Sequence, residues 1–339
     1  MDLDRRTFLQ GLGAGAMAAA TVGLSPAVQA SRRETAEDLA IDLLAGLNDA
    51  QRTAIVFPWN YHQGDRGLLR ARVSANWNVT QPTVDSDFFT RDQRALIRAV
   101  YEELLDPDWH ERYDRKQLDD AGGWGRHQSI ALFGDPATGP FQFVMTGRHM
   151  TLRAGGRSDP EVAFGGPIFY GHATGTWWSG SFVEQSHHPG NVFFPQAVAA
   201  TGLYDLLDGQ QRERARITQV PEESDITFSA SGAQRGLPLS ELSRDQFEQA
   251  SRLVEVLVEP FRERDRAQVR AALVAQGGLD ASSVAFFEPW YRRGDKLWDS
   301  FRLEGPSLTW HFRGDPHVHV WAHVAQTPDV PFNSIAIER

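Results

Sequence analysis

Three of the chain's 11 histidines lie close together near the C-terminus, at His317, His319 and His323. Because strand side chains alternate between two faces, these three would project to one side of a strand running through this segment. Imidazole is the commonest protein ligand for borderline metal ions, and a His-x-His pair on a strand delivers two rings to one point. The spacing therefore predicts a metal site, with His317 and His319 as its first ligands.

Three further histidine positions are candidates for completing this site. His149 follows an alternating apolar run that begins at Phe141, which places it on an otherwise apolar strand face and makes it the third expected ligand. His323 joins the site if its strand continues past Trp321. His311 lies on the preceding predicted strand and faces away if the connecting loop has four residues, but one more residue would bring it to the same face. The alternative for each is a core histidine that hydrogen-bonds to its neighbours.

Two carboxylates are the expected fourth ligand or general base of such a site. Glu184 lies in a glycine-rich stretch, residues 155–190, that the sequence predicts to be a loop, and Glu288 lies in a predicted strand. A catalytic metal site typically uses three protein ligands and leaves a position open for water or substrate. His172 and the pair at 187–188 share the predicted loop, where solvated histidines are the expectation and a role at the rim of the site is the alternative.

The sequence lacks the motifs that are typical of several other classes of enzyme. The chain has no Gly-x-Ser-x-Gly elbow, no Walker loop, no Gly-x-Gly-x-x-Gly opening a βαβ unit and no His-Glu-x-x-His helix. With no cysteine, it has neither disulfides nor thiolate ligands, so a bound metal must rest on histidine and carboxylate. Copper, zinc and iron suit such ligands. The formal net charge of -10 argues against nucleic acid and anionic membrane surfaces as partners.

The N-terminus has the three-part layout of an export signal. Residues 4–9 resemble the twin-arginine motif, residues 11–24 form a weakly apolar run, and residues 28–30 end it in a small-residue cleavage pattern. The apolar run is shorter than the roughly 20 residues that a membrane span needs. We therefore expect residues 1–30 to be a cleaved signal peptide that engages the twin-arginine translocase, without stable membrane insertion. Residues 31–339 would then form one periplasmic or secreted domain.

The apolar periodicity predicts an α+β fold, with helices packed against an antiparallel sheet that ends in a C-terminal meander. Thr90 and Gln93 form a capping box, which marks one helix start with particular clarity. The predicted helices span residues 35–52, 90–105, 195–217, 243–260 and a segment ending near 276. The predicted strands span residues 55–59, 128–133, 141–152, 284–291, 296–303, 307–312 and 317–325.

Six segments, residues 88–94, 130–136, 143–152, 206–211, 301–306 and 317–319, together resemble segments of one family. That family is the domain-of-unknown-function 3500 family. The likeness covers most of residues 40–325, and it implies relatives rather than a reaction, since the family supplies no activity to carry over. The chain departs from the family pattern at Arg148, where a histidine is usual, at His311, where a glutamate is expected, and at His323, where an arginine is expected. Chemistry that depended on those family residues would differ in this chain.

These observations favour an exported metalloenzyme in which His149, His317 and His319 hold a divalent metal. Redox chemistry is preferred over hydrolysis, because the twin-arginine route carries folded proteins that often hold a cofactor already. A non-catalytic periplasmic protein that binds a metal or a small ligand is the rival hypothesis. In a third hypothesis, the histidines bind nothing, and the function depends on an aromatic pocket around Trp177, Trp178 and Trp298.

Overall fold

A computed structural model describes most of the chain and places the candidate ligands on one large sheet. The predicted signal peptide, residues 1–30, lies outside the described residues, as do Trp177 and Trp178. Within the described part, no helix is long and apolar enough to cross a membrane. The described ranges are 35–155, 157–174, 184, 187–228, 234–288 and 297–335.

The described ranges contain eight α-helices, and five of them begin at a side chain that closes a capping box. The box at Thr90 is confirmed. Asn48 and Asp208 each cap a new helix, which splits both the predicted helix 35–52 and the predicted helix 195–217 into two. The helices are α1 Ala36–Ala45, α2 Asp49–Ile55, α3 Arg91–Glu102, α4 His110–Ala121, α5 Phe194–Leu206, α6 Gly209–Ala215, α7 Arg244–Val258 and α8 Glu263–Ala275.

Helix α4 is absent from the elements that the sequence predicts. It has no continuous apolar stripe, and its buried side includes Lys116, Gln117 and Asp120 together with Tyr113. Periodicity in apolar residues cannot detect a helix that buries polar side chains. The omission matters because α4 carries two of the carboxylates described below.

The strands form an eleven-stranded, mostly antiparallel sheet and a separate two-stranded one, which confirms the predicted α+β class and the C-terminal meander β9–β12. Within the stretch 155–190, predicted to be loop, β6 is a strand, and its pairing with β12 joins the two halves of the sheet. The order in the large sheet is β1-β3-β4-β5-β6-β12-β11-β10-β9-β7, with β8 beside β9. The strands are β1 Val56–Phe57, β2 Arg72–Ser74, β3 Ser129–Gly134, β4 Phe141–Gly147, β5 Met150–Ala154, β6 Ile168–His172, β7 Arg216–Ile217, β8 Leu237–Pro238, β9 Ser283–Phe287, β10 Ser300–Gly305, β11 Leu308–Arg313, β12 Val318–Val324 and β13 Asn333–Ile335.

Both faces of the large sheet are buried. On one face, residues such as Tyr170 and Val320 join a core built with apolar side chains of the helices. On the other face, Phe169 and Trp321 pack against Val73, from β2, and other residues outside the large sheet. Polar side chains on this second face are therefore shielded from water.

The pairing of β11 with β12 settles the face on which His311 lies. Arg313 is opposite His319, so five residues, 314–318, separate this pair, which is the longer of the two loop lengths considered from the sequence. His311 pairs with Trp321 and therefore shares a face with His319.

Candidate metal centre

His149 occupies a two-residue turn, Arg148–His149, between β4 and β5, where the predicted continuous strand 141–152 breaks. Its φ is +48°, in the left-handed region that residues other than glycine rarely adopt. Its backbone N–H donates to the carbonyl of Ala75 at 3.0 Å, which anchors the turn. Such costly backbone conformations persist where surrounding contacts hold them, and they cluster at functional sites.

The rings of His149, His317 and His319 converge through their Nε2 atoms. His319 Nε2 lies 3.2 Å from His149 Nε2 and 3.0 Å from His317 Nε2. His149 and His319 are buried, and His317 is half-buried. The structure thus brings together the three histidines that the sequence favoured, and their ligand atoms are close enough to share one ion.

Asp120 contacts Nδ1 of His149, the ring nitrogen that does not face the other two histidines. Its two carboxylate oxygens lie 2.9 and 2.8 Å from His149 Nδ1. Asp120 is fully buried, with Lys116 Nζ at 3.5 Å and Arg148 Nε at 3.0 Å. Burial raises the pKa of Asp120, but the charges of its neighbours outweigh it and hold this pKa below its usual range, so Asp120 is a carboxylate.

Glu223 plays the same part for His319. Its Oε1 lies 2.7 Å from His319 Nδ1 and 3.2 Å from Arg313 Nε. Burial raises the pKa of Glu223 above its usual value, and the charge of Arg313 offsets only part of this effect. Metal-binding histidines commonly donate their second ring N–H to a carboxylate, which fixes the tautomer and the ring orientation.

These contacts leave His149 and His319 with lone pairs that face each other. Burial lowers the pKa of His149 and holds that of His319 well below its usual range, so both rings are neutral. Because each Nδ1–H donates to a carboxylate, each Nε2 is an acceptor. Two acceptors 3.2 Å apart repel unless a cation lies beside them. Nitrogens bound to one tetrahedral ion at typical zinc–nitrogen distances would be about 3.3 Å apart, which fits this spacing.

Two arginines flank the three histidines. Arg148 Nε donates to Asp120, and Arg313 Nε pairs with Glu223, so each arginine shares a carboxylate with one ligand histidine. The Nη2 atom of each arginine is buried and has no hydrogen-bond partner among the described residues. Both side chains retain some exposure, 14% for Arg148 and 15% for Arg313. The arrangement leaves two guanidinium groups with donor capacity beside the site.

The structure does not bring His311 or His323 into this cluster, although both share its sheet face. His311 is buried beside Arg302, whose Nε donates to His311 Nδ1 at 3.4 Å. The His323 ring lies between the rings of Phe228 and Phe332, with both centroid distances 4.4 Å. Side chains on one face of a strand are spaced by about 6.6 Å per two residues, so sharing a face does not bring ligand atoms to one ion.

The two predicted carboxylates lie elsewhere. Glu184 Oε2 is 2.6 Å from His172 Nδ1, in a second cluster. Glu288 follows β9, three strands from β12 in the sheet, and its Oε1 is 3.4 Å from Arg216 Nη1. Its side chain is 39% exposed, as expected of a surface ion pair.

Sequence reasoning missed the residues that orient the histidines, above all Asp120 and Glu223. One signal for Asp120 was available, since Lys116 and Asp120 stand four residues apart in a segment without other strong features. Glu223 begins a three-residue 3₁₀-helix, Glu223–Asp225, and gave no comparable signal.

Comparison with known proteins supports the resemblance noted in the sequence. A family model described as "Protein of unknown function (DUF3500)" matches residues 29–326, which is most of the chain. No curated protein and no solved structure matches it.

Proposed function

The chain belongs to the DUF3500 family, and we propose that it is a metal-dependent enzyme whose divalent ion is held by His149, His317 and His319. The observation that carries this proposal is the pair of neutral acceptor nitrogens, His149 Nε2 and His319 Nε2, 3.2 Å apart. Three imidazole donors suit copper, zinc and iron. Bound there, such an ion would supply Lewis-acid or redox chemistry according to its identity.

Catalysis is favoured over storage by the number of ligands. Three protein ligands leave a coordination position open, whereas closed four-ligand sites are typical of structural metals. His317 is half-buried, so the cluster has a side on which a small molecule can approach. Asp120 and Glu223 would orient two of the ligands and keep their Nε2 atoms available to the ion.

The charges around the cluster favour an anionic substrate. Arg148 and Arg313 each use Nε to contact a carboxylate and leave Nη2 without a partner in the described part of the chain. Guanidinium groups bind carboxylate and phosphate oxygens in pairs of parallel hydrogen bonds. In the proposed enzyme, these two side chains would hold the anionic group of the substrate beside the open position.

Elemental mass spectrometry on protein purified from its native compartment tests the proposal. We expect the wild type to contain a transition metal, and the variant His149→Ala/His319→Ala to contain one ion fewer per chain. His127→Ala removes an exposed histidine and is the matched control, with unchanged metal content.

A wild type that is purified without metal, and stays empty when titrated with Cu²⁺, Zn²⁺ and Fe²⁺, would refute the proposal. A wild type that binds the ion but admits no small ligand to it, as judged from the spectrum of a Co²⁺-substituted sample, would identify a non-catalytic metal-binding protein instead.

We also propose that the protein is exported by the twin-arginine translocase and acts in the periplasm or outside the cell. The support is the motif at residues 4–9 and the apolar run and cleavage pattern that follow it. The variant Arg5→Lys/Arg6→Lys should accumulate uncleaved in the cytoplasm on fractionation. Normal delivery of this variant would exclude the route.

A further inference from the structure

A second group of potential metal ligands lies beside the first. It consists of Asp119, His172 and His188. Asp119 Oδ2 is 2.6 Å from His172 Nε2 and 3.2 Å from His188 Nδ1. The His172 side chain is fully buried, whereas those of Asp119 and His188 are 27% and 26% exposed. The group is therefore buried at His172 and partly open to solvent at Asp119 and His188.

His172 is oriented from behind by a carboxylate, in the same way as His149. Glu184 Oε2 lies 2.6 Å from His172 Nδ1, and the hydroxyl of Thr174 donates to Glu184 Oε1 at 2.8 Å. When Nδ1–H donates to Glu184 and Nε2 carries no proton, Nε2 presents a lone pair toward Asp119. Glu184 thus contacts His172 in the way that a carboxylate commonly contacts a metal-binding histidine, by accepting from the ring nitrogen that does not bind the metal.

His188 Nδ1 is a second nitrogen close to the same oxygen. The backbone N–H of Gly190 donates to His188 Nδ1 at 3.1 Å, so this nitrogen is an acceptor, and a bound cation would take the place of that hydrogen bond. It faces Asp119 Oδ2, which is also an acceptor, at 3.2 Å. Two acceptors at this distance gain nothing from each other in the absence of a cation.

A proton on His172 explains only part of this geometry. A doubly protonated His172 could donate to both Asp119 and Glu184 and satisfy the two 2.6 Å contacts. It would leave His188 Nδ1, an acceptor, 3.2 Å from a carboxylate oxygen. A cation bound by Asp119, His172 and His188 accounts for all three contacts.

The backbone of Gly190 packs directly against the group. A Cβ atom at this position would lie 2.5 Å from Asp119 Oδ2 and 2.6 Å from His172 Nε2. Such distances are far below van der Waals contact, so any larger residue would displace the ligand atoms. The absence of a side chain at Gly190 is therefore required for the group to keep this shape.

The second group is distinct from the first because it lies on the other face of the sheet. His172 is directly opposite Val318 in the β6–β12 pair, and directly opposed residues point to the same face. His319, the neighbour of Val318, points to the opposite face. A change in one group can therefore be made without removing a ligand of the other.

We propose that Asp119, His172 and His188 form a second binding site for a divalent first-row transition metal. Two imidazole nitrogens and one carboxylate oxygen form a set that zinc and non-haem iron sites use with open positions. The partial exposure of Asp119 and His188 would let this ion exchange more readily than one held by the buried pair His149 and His319. The site does not depend on the proposed function of the first cluster.

Zn²⁺ titration of the metal-free full-length mature protein, followed by calorimetry and elemental analysis, tests this site. We expect two ions per chain in the wild type, one in His172→Ala/His188→Ala, one in His149→Ala/His319→Ala, and none when all four are replaced. His187→Ala replaces the exposed neighbour of His188 and should still bind two.

Gly190→Ala keeps every ligand and is the second variant, in case removal of the buried His172 prevents folding. We expect it to lose the second ion alone, with an unchanged circular dichroism spectrum. The site is refuted if His172→Ala/His188→Ala still binds two ions, or if the wild type binds a single ion that His149→Ala/His319→Ala removes. A single ion removed only by His172→Ala/His188→Ala would support this site and contradict the first.

Discussion

Asp119 and Asp120 are consecutive residues of α4, and their carboxylates contact histidines of two different clusters. Asp119 Oδ2 lies 2.6 Å from His172 Nε2, and Asp120 Oδ2 lies 2.8 Å from His149 Nδ1. Adjacent side chains on a helix point about 100° apart, so the end of one helix can reach both places. The position of α4 therefore fixes the geometry of both clusters at once.

Replacing Asp120 by Asn should weaken metal binding at the first cluster. The change removes the charged acceptor of His149 Nδ1–H, and loss of such an outer contact typically costs about 10–100-fold in affinity. It also leaves the buried Lys116 without its carboxylate, which should lower the free energy of unfolding by about 3–5 kcal/mol. Competition titration with a chromophoric chelator and urea unfolding measure the two effects.

A compensating variant separates these two effects. Lys116→Met/Asp120→Asn removes both buried charges and should recover much of the lost stability, while metal affinity stays low. Recovery of affinity along with stability would mean that Asp120 acts only through folding.

Replacing Glu223 by Gln should weaken metal binding with a smaller effect on stability. Glu223 accepts from His319 Nδ1, and the amide would no longer fix the ring in the tautomer that presents Nε2 to the ion. We expect a loss of affinity of about tenfold or more. Glu222→Gln changes the exposed neighbour and is the control. Equal affinities in the two variants would contradict the role of Glu223.

Replacing Arg148 by Met should weaken the binding of an anion to the metal-loaded protein. The variant removes the Nη2 donor that has no partner among the described residues. Hydrogen bonds to charged groups are worth about 1.5–3 kcal/mol, so the dissociation constant for inorganic phosphate should rise about 10–100-fold.

The control for this experiment is Arg126→Met, which removes an exposed arginine. Calorimetry measures phosphate binding, and elemental analysis verifies that both variants retain their metal. Phosphate affinity that is equal in wild type and Arg148→Met would exclude Arg148 from substrate binding.

His323 should make the protein less stable in acid. Burial, together with the charge of Arg153, lowers the pKa of His323 to about 3 in the folded state, against about 6.5 in the unfolded chain. Below pH 6.5 the unfolded chain takes up a proton that the folded protein refuses, so stability falls as the pH falls toward 3. The expected loss is about 1.4 kcal/mol per pH unit, or about 2 kcal/mol at pH 5.

The variant His323→Phe removes this proton uptake and keeps an aromatic ring between Phe228 and Phe332. Between pH 7 and pH 5, its unfolding free energy in urea should fall by about 2 kcal/mol less than that of the wild type. Parallel pH profiles for the two proteins would contradict the assignment.

The sequence predicted the parts of the structure whose signals are local. The meander β9–β12 shows alternating apolar residues between turn residues, and Thr90 with Gln93 closes a capping box, so both features could be recognised. The pairing of His317 with His319 followed from strand periodicity alone. These signals depend on neighbours within a few residues.

The features that the sequence did not predict depend on contacts between segments far apart in the chain. His149 continues the alternation of β4, and only the turn at Arg148–His149 sends it toward β12. Knowing that His311 and His323 share a face with His319 did not predict how far from it they lie. The position of a residue across a sheet depends on the register in which the strands pair. Helix α4 was missed because its packing surface is polar, and Asp120 was missed with it.

The separation of His149 from His319 by 170 residues makes the trihistidine cluster a product of the completed fold. One ligand comes from the β4–β5 turn, His317 directly precedes β12, and His319 lies within β12. Strand β6, which pairs with β5 on one side and β12 on the other, joins these segments. Closing so long a loop is entropically costly, so we expect it to occur late in folding. A metal ion would bind the finished chain alone and would stabilise it by about 4 kcal/mol at a thousand times its dissociation constant. Metal loading would then mark the molecules that have finished folding.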